Sequence, residues 1–217
     1  MPPLPVEPGP NCAFCPRLAT FRATNRAGHP DWHNAPVPSF GPLDARLLIV
    51  GLAPGLKGAN RTGRPFTGDF AGQLLYRTLG AAGFTTGRFA ERADDGLKLI
   101  DCRIVNAVRC VPPANKPLPT EVGACLDFLK AELAGMPALR VVLALGQIAH
   151  GAVLKAHGVP PSRCRFGHGA SHGLPNGLRL LGSYHCSRLN TNTGRLTEPM
   201  FRDVIEAAKA GLERPAA

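Results

Sequence analysis

Four short apolar runs, 46–53, 103–109, 139–146 and 178–185, restrict what this chain can fold into more than any other feature. Each is rich in Val, Ile or Leu, and none alternates apolar with polar residues. Runs of that kind make strands buried on both faces, as in a parallel sheet covered by helices. Helical patterns lie between them. The segment 67–82 carries Phe70, Leu74, Leu75 and Leu79 and stops at Gly83. The segment 120–134 sets Val122, Cys125, Leu126, Leu129 and Leu133 on one side, after Pro119 and before Gly135. Further helices fit 147–156, which ends at Gly158, and 198–212. The alternation predicts an α/β fold, a three-layer sandwich with a central four-stranded, mainly parallel sheet flanked by helices. At 217 residues, 44% of them hydrophobic, the chain can bury a real core and is not a disordered polymer. A single domain is expected over 11–212, with the Pro-rich 1–10 and the short 213–217 as disordered tails.

In such folds ligands sit beyond the carboxyl ends of the strands. The polar and glycine residues gather there. Gly51-Leu52-Ala53-Pro54-Gly55 follows the first run, and Asn60-Arg61-Thr62-Gly63-Arg64 leads on to Phe66 and Asp69. Asn106 interrupts the second run, where a lone amide is costly unless paired. His185 opens a loop that continues through Ser187, Arg188, Asn190 and Arg195. Lys and Arg number 25 against 15 Asp and Glu, a net charge of +10. That surplus points to a polyanionic partner, although an Arg-rich genome bias gives the same imbalance. No run of apolar residues is long enough to span a membrane. The N-terminal stretch lacks the apolar segment of a signal peptide. A cytoplasmic location is therefore expected, and the seven cysteines read as metal ligands, catalytic groups or core packing rather than disulfides.

Cys12 and Cys15 form a C-x-x-C turn, which lets two thiolates face one metal. Cys110 and Cys125 form a second, wider pair. Spacing alone leaves zinc, an iron–sulfur cluster, a redox pair and plain packing open. Cys186, beside His185, reads as a packing residue.

Taken together, these segments resemble the iron–sulfur members of the uracil-DNA glycosylase superfamily. The resemblance rests on Gly51-Leu52-Ala53-Pro54-Gly55 with Phe66 beyond it, on the His185 loop running into Asn190-Thr191-Asn192-Thr193-Gly194-Arg195, and on the four-cysteine spacing. The run 60–64 with Asp69 is most like the type B (family 5) branch. The resemblance implies a monomeric, monofunctional DNA-repair glycosylase that flips uracil out of DNA and hydrolyses its N-glycosidic bond. It implies a structural 4Fe–4S cluster on Cys12, Cys15, Cys110 and Cys125. Phe66 would stack on the base and Asn106 would read its edge. His185 would stabilise the departing base, and Gly51, Ala53, Pro54 and Gly55 would shape the pocket. Asn60, Arg61, Ser187, Arg188, Asn190 and Arg195 would contact DNA.

The sequence departs from that pattern at three places. Many superfamily members carry a carboxylate where Leu52 or Ala53 stands, and Asp69 is the nearest replacement. Gly55 stands where some members place a bulky aromatic against the thymine methyl, which implies a wider base range, deaminated purines included. His185 is followed by Cys186 where relatives usually have proline. The missing carboxylate keeps one alternative open, a non-catalytic sensor of uracil or abasic sites.

Overall fold

The computed structural model describes residues 7–175 and 177–213. In chain order, α1 (Pro16–Gly28) precedes β1 (Leu47–Gly51), α2 (Ala59–Thr62) and α3 (Phe70–Ala81). A small hairpin of β2 (Thr85–Thr86) and β3 (Lys98–Leu99) leads to β4 (Cys102–Asn106), α4 (Pro119–Ala124) and α5 (Leu126–Ala134). Then come β5 (Val141–Leu145), α6 (Gln147–Ala156), β6 (Ser171–Gly173), β7 (Arg179–Ser183), α7 (Arg188–Asn192) and α8 (Glu198–Glu213).

The central sheet runs β4-β1-β5-β7-β6, with the first four strands parallel and β6 antiparallel to β7. The sheet therefore has five strands, not the four expected. The fifth, Ser171-His172-Gly173, is three residues long and not apolar, so no hydrophobic run marks it. The outer edge of β4 is met by an isolated antiparallel bridge between Phe40 and Ile104.

Side chains alternate across a strand, so both faces of these unbroken apolar runs need cover. Leu47, Ile49, Ile104, Leu143 and Leu181 pack with Leu75 and Leu79 of α3 and Phe201 and Ile205 of α8. Their neighbours Leu48, Val50, Val105, Val142 and Leu180 pack on the opposite face with Leu129 of α5 and Val153 of α6. Each such side chain contributes about 1.5–3 kcal/mol on burial.

Among the expected helices, 147–156 is found at those bounds as α6. The 120–134 pattern is two helices that meet at Cys125, whose φ of −86° and ψ of −5° end one and start the next. The α1 helix has no counterpart in the sequence reading, since it buries only Leu18, Arg22 and Asn25. Residues 7–10 are held rather than loose: Glu7 accepts from the Ser39 backbone N–H at 3.1 Å, and Pro10 O accepts from Arg26 at 2.7 Å. The rest of the expected tails, 1–6 and 214–217, lies outside the described residues.

β1 sits between β4 and β5, so the chain leaves its carboxyl end first to one side and later returns on the other. That is the switch point where an open α/β sheet leaves a crevice. In register, Gly51 at the end of β1 faces Asn106 at the end of β4.

Candidate active site

A cavity of about 840 Å³ opens beyond these strand ends. Its walls come from the 52–59 loop, Phe66, the 69–71 turn, Asn106, Asn115, and the segment from His185 to Asn190. Of the residues singled out in the sequence, Ala53, Pro54, Gly55, Phe66, Asp69, Asn106, His185, Ser187, Arg188 and Asn190 share this one space.

Gly51 lies behind it and makes room. A Cβ there would fall 2.3 Å from Asn106 Oδ1 and 2.7 Å from Phe66 Cζ, so any side chain would displace both. Phe66 adopts a φ of +52°, the left-handed region, which costs a non-glycine residue about 1–3 kcal/mol unless its surroundings impose it. The first turn of α3 helps to impose it. A Cβ at Gly72 would lie 1.8 Å from the Phe66 carbonyl oxygen, so only glycine allows that approach. The Phe66 ring centroid lies 5.9 Å from that of His185, the planes 29° apart.

Asn106 is almost fully buried, and its Oδ1 has no hydrogen-bond partner. Burial pushes the His185 imidazole down to about 4, so the ring is neutral at neutral pH. Asn190 Nδ2 donates to the His185 carbonyl at 2.8 Å, and Ser187 caps α7, accepting from the Asn190 N–H at 3.4 Å. Thus Ser187 and Asn190 brace the His185 loop.

Asp69 does two things. As N-cap of α3 its Oδ1 accepts from the Gly72 N–H at 3.1 Å. Its Oδ2 faces two glycines, and a Cβ would come within 3.1 Å of it at Gly55 and 2.5 Å at Gly58. Burial raises the carboxyl above the usual carboxylate range, with the Gly72 and Ala71 amides opposing. Gly55 thus leaves space that a carboxylate occupies.

The expected DNA contacts divide. Arg188 is exposed on the cavity rim, its guanidinium 5.3 Å from the Phe70 ring centroid. Arg61 and Arg195 are exposed but do not line the cavity; Arg61 donates to Lys57 O, and Arg195 lies over the Tyr184 ring. Asn60 is a correction. It is buried, and its Nδ2 donates to Asn34 Oδ1 at 2.9 Å, so its side chain fastens α2 to the 29–34 segment and does not face DNA. Asn115 was missed. It stands in the loop after β4 at a φ of +56° and lines the cavity, yet an Asn among prolines carries no local signal of that role. Cys186 is fully buried, its thiol donating to Ala71 O at 3.5 Å, which joins the His185 loop to the Asp69 turn.

The four cysteines of the predicted ligand set are free thiols. Cys15, Cys110 and Cys125 share a small core with Leu18 and Val108. Burial, with the neighbouring thiols adding to it, raises Cys15 to about 12 and Cys110 to about 11. Arg22 Nη1 donates to Cys110 Sγ at 3.4 Å, and the Arg109 backbone hydrogen-bonds Cys125. Arg17 binds Glu121 through two 2.8 Å contacts, which ties α1 to α4. Four thiols, two of them supported by a cationic or N–H donor, suit a thiolate-held, anionic group. Among the described residues, no group of three or more Cys, His, Asp or Glu converges on a single metal-ion position.

The open strand ends of this α/β sheet thus bring together a buried amide, a neutral histidine and an aromatic ring. Residues 38–209 match the model of the uracil DNA glycosylase superfamily, and the chain belongs to that family. It is 48% identical over 209 residues to a type-5 uracil-DNA glycosylase of Thermus thermophilus, covering 93% of this chain and 94% of that one. A type-5 enzyme of Pyrobaculum aerophilum is 41% identical over 204 residues, 92% of this chain and 88% of that one. A type-4 uracil-DNA glycosylase of Thermotoga maritima is 30% identical over 175 residues, 80% of this chain and 81% of that one. The chain is thus more similar to these type-5 relatives than to this type-4 relative. Among the described residues no helix is long and apolar enough to cross a membrane.

Proposed function

We propose that this chain is a monofunctional uracil-DNA glycosylase that acts on a nucleotide flipped out of DNA. The observation that carries the reading is Asn106 Oδ1, a buried acceptor without a partner at the cavity wall beside Phe66. Buried polar groups are seldom left unpaired, and each that is needs a reason. Uracil supplies one: its edge offers an N–H donor beside a carbonyl acceptor, which one amide side chain matches. Cytosine presents a different pattern. A duplex hides the bond to be cut, so the nucleotide must rotate into the cavity, where Phe66 stacks on the base.

The N-glycosidic bond then breaks with its electron pair going to the base, and an oxocarbenium-like centre forms at C1′. His185, neutral and able to donate an N–H, stabilises the charge that builds on the uracil oxygen, as donors do in an oxyanion hole. The Asp69 carboxylate faces the positive centre and orients the water whose oxygen bonds to C1′, the water's proton being released. Gly55 sets no bulky aromatic ring against the base, so release of deaminated purines is expected at lower rate. Arg188 at the rim, with Arg61 and Arg195, meets phosphates and sets affinity more than sequence choice.

Cys12, Cys15, Cys110 and Cys125 hold a structural 4Fe–4S cluster in this reading. When bound it cross-links the N-terminal arm to the α4–α5 corner. The protein acts as a monomer in the cytoplasm.

The test uses the purified full chain, which should be brown, and an end-labelled duplex with one uracil, treated with alkali after reaction. Scission by the wild type, lost in His185→Ala and Asn106→Ala, supports the assignment. Binding of the duplex without scission would replace it with a uracil sensor. Colourless, zinc-loaded protein would overturn the cluster.

A further inference from the structure

Arg64 is 5% exposed, an unusual place for a guanidinium. Three rings surround it: the centroids of Phe40, Tyr76 and Phe89 lie 5.1, 5.6 and 5.8 Å from its Cζ. Its Nη1 and Nη2 each donate to the Asp95 carboxylate at 2.8 Å, a bidentate pair. That pairing holds the Asp95 carboxyl well below the usual carboxylate range, and the Ala90 and Leu97 amides add to it. Arg64 Nε donates to Thr67 Oγ1 at 2.8 Å, and that hydroxyl donates to Pro65 O at 3.2 Å. Tyr76 donates to the same Pro65 carbonyl at 2.6 Å.

All of these contacts converge on the residues either side of Phe66. None touches Phe66 itself, whose backbone is the strained point of the segment at a φ of +52°. An αL phenylalanine stays in place only when its neighbours fix it. We propose that Arg64, with Tyr76 and Asp95, is a positioning device: it holds Pro65 and Thr67 so that Phe66 presents its ring to the flipped base. The role of Phe66 rests on the glycosylase reading above. The clamp accounts for a buried cation that touches no cavity-lining group, and for why the loop 87–97, which supplies Phe89 and Asp95, is tied to a base pocket whose wall it does not form.

Lysine cannot replace this arginine. It is a point charge without the planar fork, and it loses both the bidentate pair and the stacking. Tyr76→Phe is the milder change, since it removes one hydroxyl and keeps the ring.

The experiment compares Arg64→Lys, Tyr76→Phe, Phe66→Ala and the two double variants that include Phe66→Ala. Two quantities are measured: single-turnover uracil release, and the preference for a duplex carrying non-cleavable 2′-fluoro-deoxyuridine over an undamaged duplex. Arg64→Lys is expected to slow release about 10²-fold, the scale of a small misplacement. Tyr76→Phe should slow it about fivefold, the scale of one neutral hydrogen bond. Neither should lose anything further once Phe66 is alanine, and affinity for undamaged duplex should not change. Losses that multiply with Phe66→Ala, or single variants that match the wild type, would overturn the proposal. Should Arg64→Lys fail to fold, Tyr76→Phe carries the test alone. A wild type that releases no uracil overturns the glycosylase reading instead. The fluorinated duplex then still decides the clamp, which stands if Tyr76→Phe weakens the preference only while Phe66 is present and falls otherwise.

Discussion

Two polar clusters lie within a few residues of each other along β4 and its following loop, and they are built in opposite ways. In one, Arg109 donates to Ser39 Oγ at 2.9 Å and to Glu132 at 3.0 Å; Ser39 donates to Glu132 at 2.7 Å, and Arg103 pairs with the other Glu132 oxygen. Charges that deep survive only with complete pairing. In the other, Asn106 Oδ1 has no partner, Asp69 turns one oxygen to a pair of glycines, and burial drives His185 away from its proton. The first cluster is finished without a ligand. The second is left open, as the proposed function requires of a substrate site. In the proposed function the difference marks polar residues that hold the fold against those that meet the base, a distinction that residue type alone does not make.

The comparison can be broken by stability and activity measurements on the two sides. The largest effect belongs to Glu132→Ala, which strands the buried Arg109 guanidinium, takes a partner from Arg103 and should cost about 3–5 kcal/mol in denaturant unfolding. Near-wild-type stability there would mean that the network is not a structural one. Next comes His185→Ala, expected to slow uracil release by about 10²–10³-fold, the scale of a lost transition-state donor. Its melting temperature at neutral pH should hold, and a large drop would place His185 with the structural group.

Asp69→Asn sharpens the contrast further. Asparagine keeps the N-cap, so α3 should survive. The carboxyl is raised in the folded state, meaning that burial penalises its charged form. The variant should therefore be slower yet melt higher than wild type at neutral pH. That gain should shrink once pH falls below the raised value and vanish below the ordinary carboxylate range, where the wild-type group is protonated in both states. The last effect is in the pH dependence of stability. With His185 held to about 4 against an ordinary 6.5, the unfolded chain binds a proton that the folded one refuses. Stability should thus decline as pH falls from about 6.5 to about 4, and His185→Gln should flatten that slope in thermal scans.

Much of this was legible in the sequence where physics acts locally. Apolar runs mark strands buried on both faces, and β1, β4, β5 and β7 lie inside or within a residue of those runs. The fifth strand, Ser171–Gly173, is stabilised by pairing rather than by its own residues, so no pattern announces it. α1 escaped because its buried face is small and half polar. Asn60 was misread because its partner, Asn34, is 26 positions away, and no local rule distinguishes an amide that binds phosphate from one that binds another amide. Asn115 and the Arg64 clamp were invisible as roles for the same reason: each depends on what distant segments bring to it.

The Phe40–Ile104 bridge and the three-residue β6 have a consequence for life in a crowded solution. An open sheet exposes a row of unpaired amides and carbonyls at each end, and a second chain can add a strand there and start an aggregate. Here one end is met by Phe40, which exchanges both backbone hydrogen bonds with Ile104, at 2.9 and 2.8 Å. The other end is a strand too short to template a partner. Polymerisation along the sheet is thus discouraged at both margins, while the strand ends that serve the pocket stay open to bulky DNA.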